Sequence, residues 1–376
     1  MPELAVTDIR RIARRNTYPQ VSIHTPMVRA GREVEQNGIR LRNAADAAIE
    51  KLAEHGVAKA EAEDLLTPVR SLGATAGEMQ HQQGGLSLFV TPSGYDEIQV
   101  PTELATRVEV GTYPFLSPLL DPVLRNSDYY ILTLSLGGVG LYKATRFTLE
   151  YVELPDLPED LCYVIRYDEF EKSLQPHMTA RGGQSAGVHG HGAGEDEHEH
   201  FVIRFVDAVA SAVRPHLEQS QLPLVLVGSD EAVGRFAARI GYAHLLEPHH
   251  HVDPHTISSD ELLEHGWNTA RTRVESAEKE TLQRFHNSDH QVFGVHAVLS
   301  AITEGRAATV CVDPLRELRG GFDRASGEVH VAHGSAEEYG DELTNVVVNE
   351  ALLMGVPVLL VDSSEEIELP AAAVHG

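Results

Sequence analysis

The chain has 376 residues, a formal net charge of −26, and 42% hydrophobic against 23% charged residues. This is an ordinary globular composition with material for roughly two to four domains, and no apolar run is long enough to predict a membrane span. Such an acidic surface repels phosphate backbones, so contact with nucleic acid would require a local basic patch. The first residues lack the apolar stretch of a signal peptide. Two cysteines, Cys162 and Cys311, lie in apolar strand-like segments, which favours buried, reduced thiols in a cytoplasmic protein.

The first block, residues 1–125, has the pattern of a compact α/β unit. QVSIHTP alternates like a strand, and a helix follows that is expected to end at Gly56. A second helix is expected to break near Pro68, because proline removes a helical hydrogen bond. GLSLFV then predicts another strand.

The second block, residues 126–255, begins with two or three strands in YYILTLSLGGVGLYKATRFTLEYVEL. Its GGVG sequence is expected to form the turn, where a positive φ costs glycine little. A polar, glycine-rich loop follows, and then a helix that is expected to start near Phe201 with one apolar stripe. PLVLVGS predicts a strand buried on both faces, as in a parallel sheet.

The third block, residues 256–376, begins with a long amphipathic helix. Two apolar helices then end at glycine, Gly305 and Gly355, and each leads into an apolar strand. This alternation is typical of an open parallel or mixed sheet. The sequence therefore predicts a mixed α/β fold of three domains, 1–125, 126–255 and 256–376. The central and C-terminal domains are expected to be built on mixed or parallel sheets flanked by helices.

The loop of the second block contains ARGGQSAG, residues 180–187. In this order of segments it resembles the GRGGQSA core of the catalytic loop in archaeal and eukaryotic class-one release factors and their relative Pelota. The chain more closely resembles the bacterial archaeo-eukaryotic release factor families, and family 3 is the expected one. The strands around GGVG, the PLVLVGS strand and the helix–glycine–strand pattern of the third block fit the same resemblance.

The resemblance implies hydrolysis of the ester that joins a nascent peptide to transfer RNA. Gly182 and Gly183 would shape a narrow tip, because glycine has no Cβ and a wide choice of backbone angles. Gln184 would select water and face the oxyanion, which backbone N–H groups stabilise in acyl transfer. Arg181 would meet a ribosomal RNA phosphate. The implied partners are the ribosome and peptidyl-tRNA, with a translational GTPase as a candidate delivery factor.

The sequence departs from the release factors in two places. VHGHGAGEDEHEH is acidic where the release factors continue with a basic helix, so an alternative is that function attaches to His189 and His191. The first block contains no Asn-Ile-Lys-Ser element, so rescue of stalled ribosomes is expected rather than decoding of stop codons.

Other functions remain open at this stage. The acidic loop favours a non-catalytic factor that protects idle ribosomes in hibernation. A third possible function is that of a transfer-RNA-processing or scaffold protein that does not bind the ribosome. Histidines at short spacing suit zinc or nickel, but this loop gives them no preformed geometry. We therefore predict no metal site and no cofactor, and whether the chain is an enzyme stays undecided.

Overall fold

The computed structural model describes residues 5–28, 34–75, 84–166, 193–332, 340–361 and 368–375. The fold is mixed α/β, as predicted, and the strands within these ranges form four sheets. The chain divides into two compact units, one formed by Met1–Arg125 together with Ala277–Gly376, the other by Asn126–Ser276. The division into three domains stays a prediction. Within the described ranges, no helix combines the length and hydropathy that a membrane span requires.

The first unit begins with an antiparallel sheet of order β3-β2-β1-β4. Alternate side chains of β1 and β2 are buried against α2 and α4, in agreement with the predicted alternation. Gly56 follows α2 with φ +82°, as expected of a helix-ending glycine. These strands are β1 (Gln20–Met27), β2 (Gly84–Thr91), β3 (Gly94–Val100) and β4 (Arg107–Gly111). The helices are α1 (Val6–Ala13), α2 (Val34–Glu54), α3 (Lys59–Leu65), α4 (Thr67–Thr75) and α5 (Ser117–Leu124).

The C-terminal part of this unit contains a mixed sheet of order β14-β10-β15-β9, in which β10 and β14 are parallel. Gly305 and Gly355 follow its two helices with φ +71° and +73°, so the predicted helix–glycine–strand pattern is confirmed. The strands are β9 (Gln291–Phe293), β10 (Ala307–Val312), β14 (Val358–Leu360) and β15 (Ala371–Val374). The helices are α9 (Val295–Thr303) and α10 (Leu343–Met354).

A small antiparallel sheet of order β12-β11-β13 was not expected from the sequence. Its strands are β11 (Arg319–Asp323), β12 (Glu328–Val331) and β13 (Asp341–Glu342). They are short and polar, and glycine lies where backbones approach closely: a Cβ on Gly340 would collide with the backbone of Gly320. Such strands lack the apolar alternation by which strands are found.

The N-terminal and C-terminal parts of the first unit share one hydrophobic core. Phe89 and Leu119 from the first part are buried in the same cluster as Val298 and Val347 from the last part. Side-chain amides add to this junction, because Asn345 and Asn349 both donate to the carbonyl oxygen of Pro114, at 2.9 and 3.0 Å.

An ion pair also joins the two parts of the first unit. The Arg319 guanidinium binds both carboxylate oxygens of Glu109, at 2.9 and 3.0 Å, and Arg107 binds the same carboxylate at 2.9 Å. Burial opposes ionisation of Glu109, but the hydrogen bond and charge of Arg319 prevail and lower its pKa.

The second unit is built on a mixed sheet of order β7-β6-β5-β8, in which β5 and β8 are parallel. One face packs against α6 and α7, and the other packs against the first half of α8. The strands are β5 (Tyr129–Ser135), β6 (Gly138–Ala144), β7 (Leu149–Val152) and β8 (Leu224–Gly228). The helices are α6 (Ala193–Ser220), α7 (Asp230–Ile240) and α8 (Ser259–His286).

Two local expectations for the second unit were wrong. The hairpin between β5 and β6 forms, but the glycines of its GGVG sequence do not have positive φ. A Cβ on Gly138 would lie 2.8 Å from the ring of the exposed His255. Cys162 is exposed in the helical residues 161–166, whereas Cys311 is buried in β10 as expected.

We expect Glu109→Ala to lower the free energy of unfolding of the first unit by about 2–3 kcal/mol, because the largely buried Arg319 and Arg107 lose their shared carboxylate. Glu317→Ala is the matched control. It removes an exposed carboxylate that binds Arg107 at 2.7 Å, and it should cost less than about 1 kcal/mol. Equal losses in urea denaturation would show that the ion pair does not stabilise the junction.

His24 should make stability depend on pH. It is fully buried, with Nδ1 2.8 Å from the Ser87 hydroxyl and Nε2 3.0 Å from the Phe115 carbonyl oxygen. Burial lowers the pKa of His24 to about 4, so its contribution is complete above the unfolded-state pKa and is lost as the pH falls from there through 4. Between pH 7 and pH 5 the loss should be about 2 kcal/mol.

Denaturation of wild type and His24→Gln at pH 7 and pH 5 separates the pH dependence caused by His24 from that caused by buried carboxyl groups. Asp341 and Glu350 have pKa values raised by burial and act in the opposite direction. The variant should lose about 2 kcal/mol less unfolding free energy than wild type between pH 7 and pH 5. The same pH dependence in both proteins would contradict this role of His24.

Candidate functional site

The residues predicted to form the functional loop lie outside the described residues. The structure instead describes the two points from which residues 167–192 are attached, the helical residues 161–166 and the start of α6. The predicted residues concerned are Arg181, Gly182, Gly183, Gln184, His189 and His191.

The first attachment point is fixed to the tip of the β5–β6 hairpin. The backbone N–H of Leu161 donates to the carbonyl oxygen of Leu136 at 3.0 Å, and that of Val139 donates to Glu159 at 3.1 Å. Leu161 and Val164 are buried against the sheet. The chain therefore enters the segment at the end of the sheet where β5 finishes.

The second attachment point lies at the same end of the sheet. β8 begins with Leu224 opposite Tyr130 at the start of β5, so the end of α6, which precedes β8, lies near the amino ends of these strands. A crossover helix runs antiparallel to the parallel strands that it connects, which brings the start of α6 to their carboxyl ends. Ligand and reaction sites of open α/β sheets lie at this end.

A stripe of fully buried side chains holds α6 against the sheet, which confirms the predicted apolar helix face. The stripe begins at Val202 and continues through Phe205 and Val209 to Leu217. Its side chains share the core with Leu132 and Leu226 of the parallel strands.

The helix starts earlier than the sequence indicated. It begins at Ala193, not near Phe201, so the acidic sequence EDEHEH is helical instead of part of the loop. Acidic residues in the first turns are favoured by the helix dipole, which explains how so polar a sequence extends the helix. From Ala193 to Val202 the helix rises about 13 Å, and residues 198–200 are exposed. These exposed turns separate the described start of α6 from its buried stripe.

Ion pairs connect this helix to its neighbour α7. Arg235 binds Glu199 at 3.2 Å and Arg239 binds Asp207 at 3.0 Å. Partly exposed pairs of this kind contribute little stability, but they fix how the two helices pack. They also use basic groups of α7 to balance carboxylates of α6, so the start of α6 is not a basic surface.

The histidines that follow β8 bind other side chains. His250 lies 2.8 Å from the Thr269 hydroxyl, and its ring stands 4.9 Å from that of His265. Burial and the neighbouring His265 lower the pKa of His250. His251 pairs with Asp230 instead, at 2.6 Å. Throughout the described ranges, no three His, Cys, Asp or Glu side chains are placed to hold a metal ion.

A separate polar cleft of about 400 Å³ lies in the first unit, between Lys51, His55, Arg319 and Gly340. Its buried charges are used internally, because Arg319 binds Glu109 and the Lys51 ammonium donates to the carbonyl oxygen of Val108 at 2.7 Å. The cleft therefore presents no activated nucleophile. No sequence motif indicated it, since its walls come from residues more than 200 positions apart.

The comparison with protein families supports the resemblance stated above. Residues 129–272 match the family described as bacterial archaeo-eukaryotic release factor family 7, and this range contains the RGGQSA sequence. The resemblance to bacterial archaeo-eukaryotic release factors is confirmed, whereas the expected family number, 3, is not. No curated protein matches the chain.

The matches among solved structures include three proteins described below. An archaeal translation termination factor, aRF1, is 13% identical, with 99% of both chains covered and a TM-score of 0.24. Archaeal Pelota, from a model of ribosome-bound Pelota and ABCE1, is 12% identical over 75% of this chain and 72% of that one, with a TM-score of 0.34. Dom34 from S. cerevisiae, described as a translation termination-like factor that interacts with Hbs1, is 10% identical over 77% and 72%, with a TM-score of 0.32.

The projecting start of α6 can be tested separately from the core. We expect His198→Pro to unfold only the turns before Val202, because proline in a helix interior removes a hydrogen bond and clashes with the preceding turn. Hydrogen exchange should show lost protection near residue 198, with unchanged protection in β5 and β8. His198→Ala is the control and should keep the helix. If the proline unfolds the whole unit, the first turns of α6 are not separable from the core as expected.

Proposed function

We propose that this chain is a release-factor-like protein that acts at the ribosomal A site and hydrolyses peptidyl-tRNA to rescue stalled ribosomes. The observation that carries the proposal is the position of RGGQSA inside the family match, in the segment between two attachment points at one end of the central sheet. The proposed residues are Gly182, Gly183 and Gln184, with Arg181 on RNA phosphate.

The reaction requires water to attack the ester carbonyl carbon that joins the peptide to the transfer RNA. A tetrahedral oxyanion forms, the bond to the ribose oxygen breaks, and that oxygen takes up a proton. A backbone N–H beside the two glycines supplies the type of donor that stabilises such an oxyanion. The glycines leave room for this approach, and the Gln184 side chain excludes nucleophiles larger than water.

The geometry of the described residues supports delivery of this segment into a confined site. The ribosome's peptidyl-transferase centre is made of RNA, so only a narrow part of a protein can enter it. Here α6 follows the segment in the chain, and both attachment points lie at the end of the sheet where the parallel strands finish. We propose the ribosome and peptidyl-tRNA as partners, and a translational GTPase as the delivery factor.

The proposal predicts that Gly183→Ala abolishes peptide release while binding to ribosomes is kept. A methyl group at this position restricts the backbone and blocks the approach of the N–H to the ester. Release of a labelled peptide from stalled ribosome complexes measures the rate, and we expect a loss of at least about 100-fold, the effect of removing one oxyanion donor.

Gly187→Ala is the matched control, since it adds the same methyl group three residues after Gln184, and it should release peptide at nearly the wild-type rate. No release by the wild type, or equal rates for wild type and Gly183→Ala, would disprove the catalytic role. If His189→Ala/His191→Ala loses peptide release while Gly183→Ala keeps it, these histidines carry the function instead.

A second candidate function is non-catalytic protection of idle ribosomes in hibernation. The acidic start of α6 favours it, because Glu199 and its neighbouring acids would repel the RNA around a reacting ester. This function predicts cosedimentation with 70S ribosomes from stationary-phase cells and no peptide release. Release by the wild-type protein at a rate that depends on Gly183 would exclude it.

A further inference from the structure

The greatest local concentration of positive charge in this acidic chain lies on its first helix. Four of the 30 lysine and arginine residues fall within IRRIARR, at Arg10, Arg11, Arg14 and Arg15. Helix α1 buries Ile9, Ile12 and Ala13 in the shared core of the first unit, so the arginines extend from its outer side.

Two of the four arginines hold the helix in place. Arg11 binds one oxygen of Asp96 on β3 at 2.6 Å, and Arg15 binds the other at 2.7 Å. A single carboxylate thus serves two guanidinium groups, which leaves excess positive charge even at the anchored side.

The other two arginines, Arg10 and Arg14, bind no carboxylate among the described residues. Arg10 and Arg14 are one helical turn apart and therefore lie on the same side of α1. Arg14 is exposed, and the buried Nε of Arg10 has no acceptor within the described part of the chain. Two guanidinium groups on one face, both without a carboxylate, provide forks of donors suited to phosphate oxygens.

A chain of side-chain contacts links the residue that follows the four arginines to a fifth arginine, Arg324. The Tyr113 hydroxyl accepts a hydrogen bond from the side chain of Asn16, which follows Arg15, and donates to Glu350 at 3.4 Å. Glu350 in turn binds Arg324, whose side chain is 48% exposed, at 3.2 Å.

We propose that the arginine face of α1, formed by Arg10 and Arg14, binds the phosphate backbone of RNA. The partner follows from charge, and the choice of RNA rests on the proposed action at the ribosome. An acidic chain is repelled by RNA at long range, but salt screens this repulsion beyond about 10 Å. Attachment then depends on direct contacts at the surface where guanidinium groups are concentrated and unpaired.

The test measures binding of the full chain to purified 70S ribosomes and to a labelled ribosomal RNA fragment, by cosedimentation and fluorescence anisotropy at several salt concentrations. Each phosphate contact adds about 0.7–0.9 to the slope of log affinity against log salt. Arg10→Gln/Arg14→Gln should therefore weaken binding and reduce the slope by about 1.4–1.8. Arg271→Gln, which removes an exposed arginine from α8, is the control and should leave the slope unchanged.

Arg10→Lys/Arg14→Lys separates charge from folding, because it keeps both positive charges and should restore most of the salt slope. A slope equal to wild type in the glutamine variant, or binding of polyglutamate in place of RNA, would overturn the proposal. Gly183→Ala should bind RNA like wild type, so a failure of peptide release and a failure of this RNA surface are distinguishable.

Discussion

Packing of the apolar stripe of α6 against the β5–β8 sheet is the constraint on which the rest of the central unit depends. The stripe from Val202 to Leu217 fixes the direction of the helix, because its side chains must be buried against the parallel strands. Before Val202, Phe201 is only partly buried against this core, and residues 198–200 are exposed. The same burial therefore determines both the core of the unit and the direction of the helix that follows the predicted functional loop.

Much of this architecture is predictable because it depends on local pattern. Alternation or a short apolar run predicts β1, β5 and β8. The glycines that follow α9 and α10 are predicted as helix ends, because glycine readily adopts the left-handed backbone found there. The RGGQSA sequence indicated the family group because an unusual motif occurred between the expected strands and helix. The residue types of this motif and its position between predicted elements both lie within one short part of the sequence.

The features that sequence could not supply depend on distant contacts or on weak patterns. The bond between Glu109 and Arg319 joins residues 210 positions apart, and no spacing rule connects them. The β11–β13 sheet is polar and glycine-containing, so its pairing is set by its neighbours instead of by its own alternation. The start of α6 was placed too late because its first turns are acidic and histidine-rich, with no apolar stripe to mark them as helical.

The most direct test of the central claim uses the two natural cysteines. Cys162 is exposed beside the first attachment point, whereas Cys311 is buried and its thiol pKa is raised to about 12 by burial, so a thiol-reactive iron chelate should label Cys162 alone. Hydroxyl radicals from this label, in complexes with stalled ribosomes, should cleave large-subunit RNA around the peptidyl-transferase centre. Cleavage confined to other ribosomal sites, or none in a complex that cosediments, would contradict the proposed placement of the Gly-Gly-Gln segment.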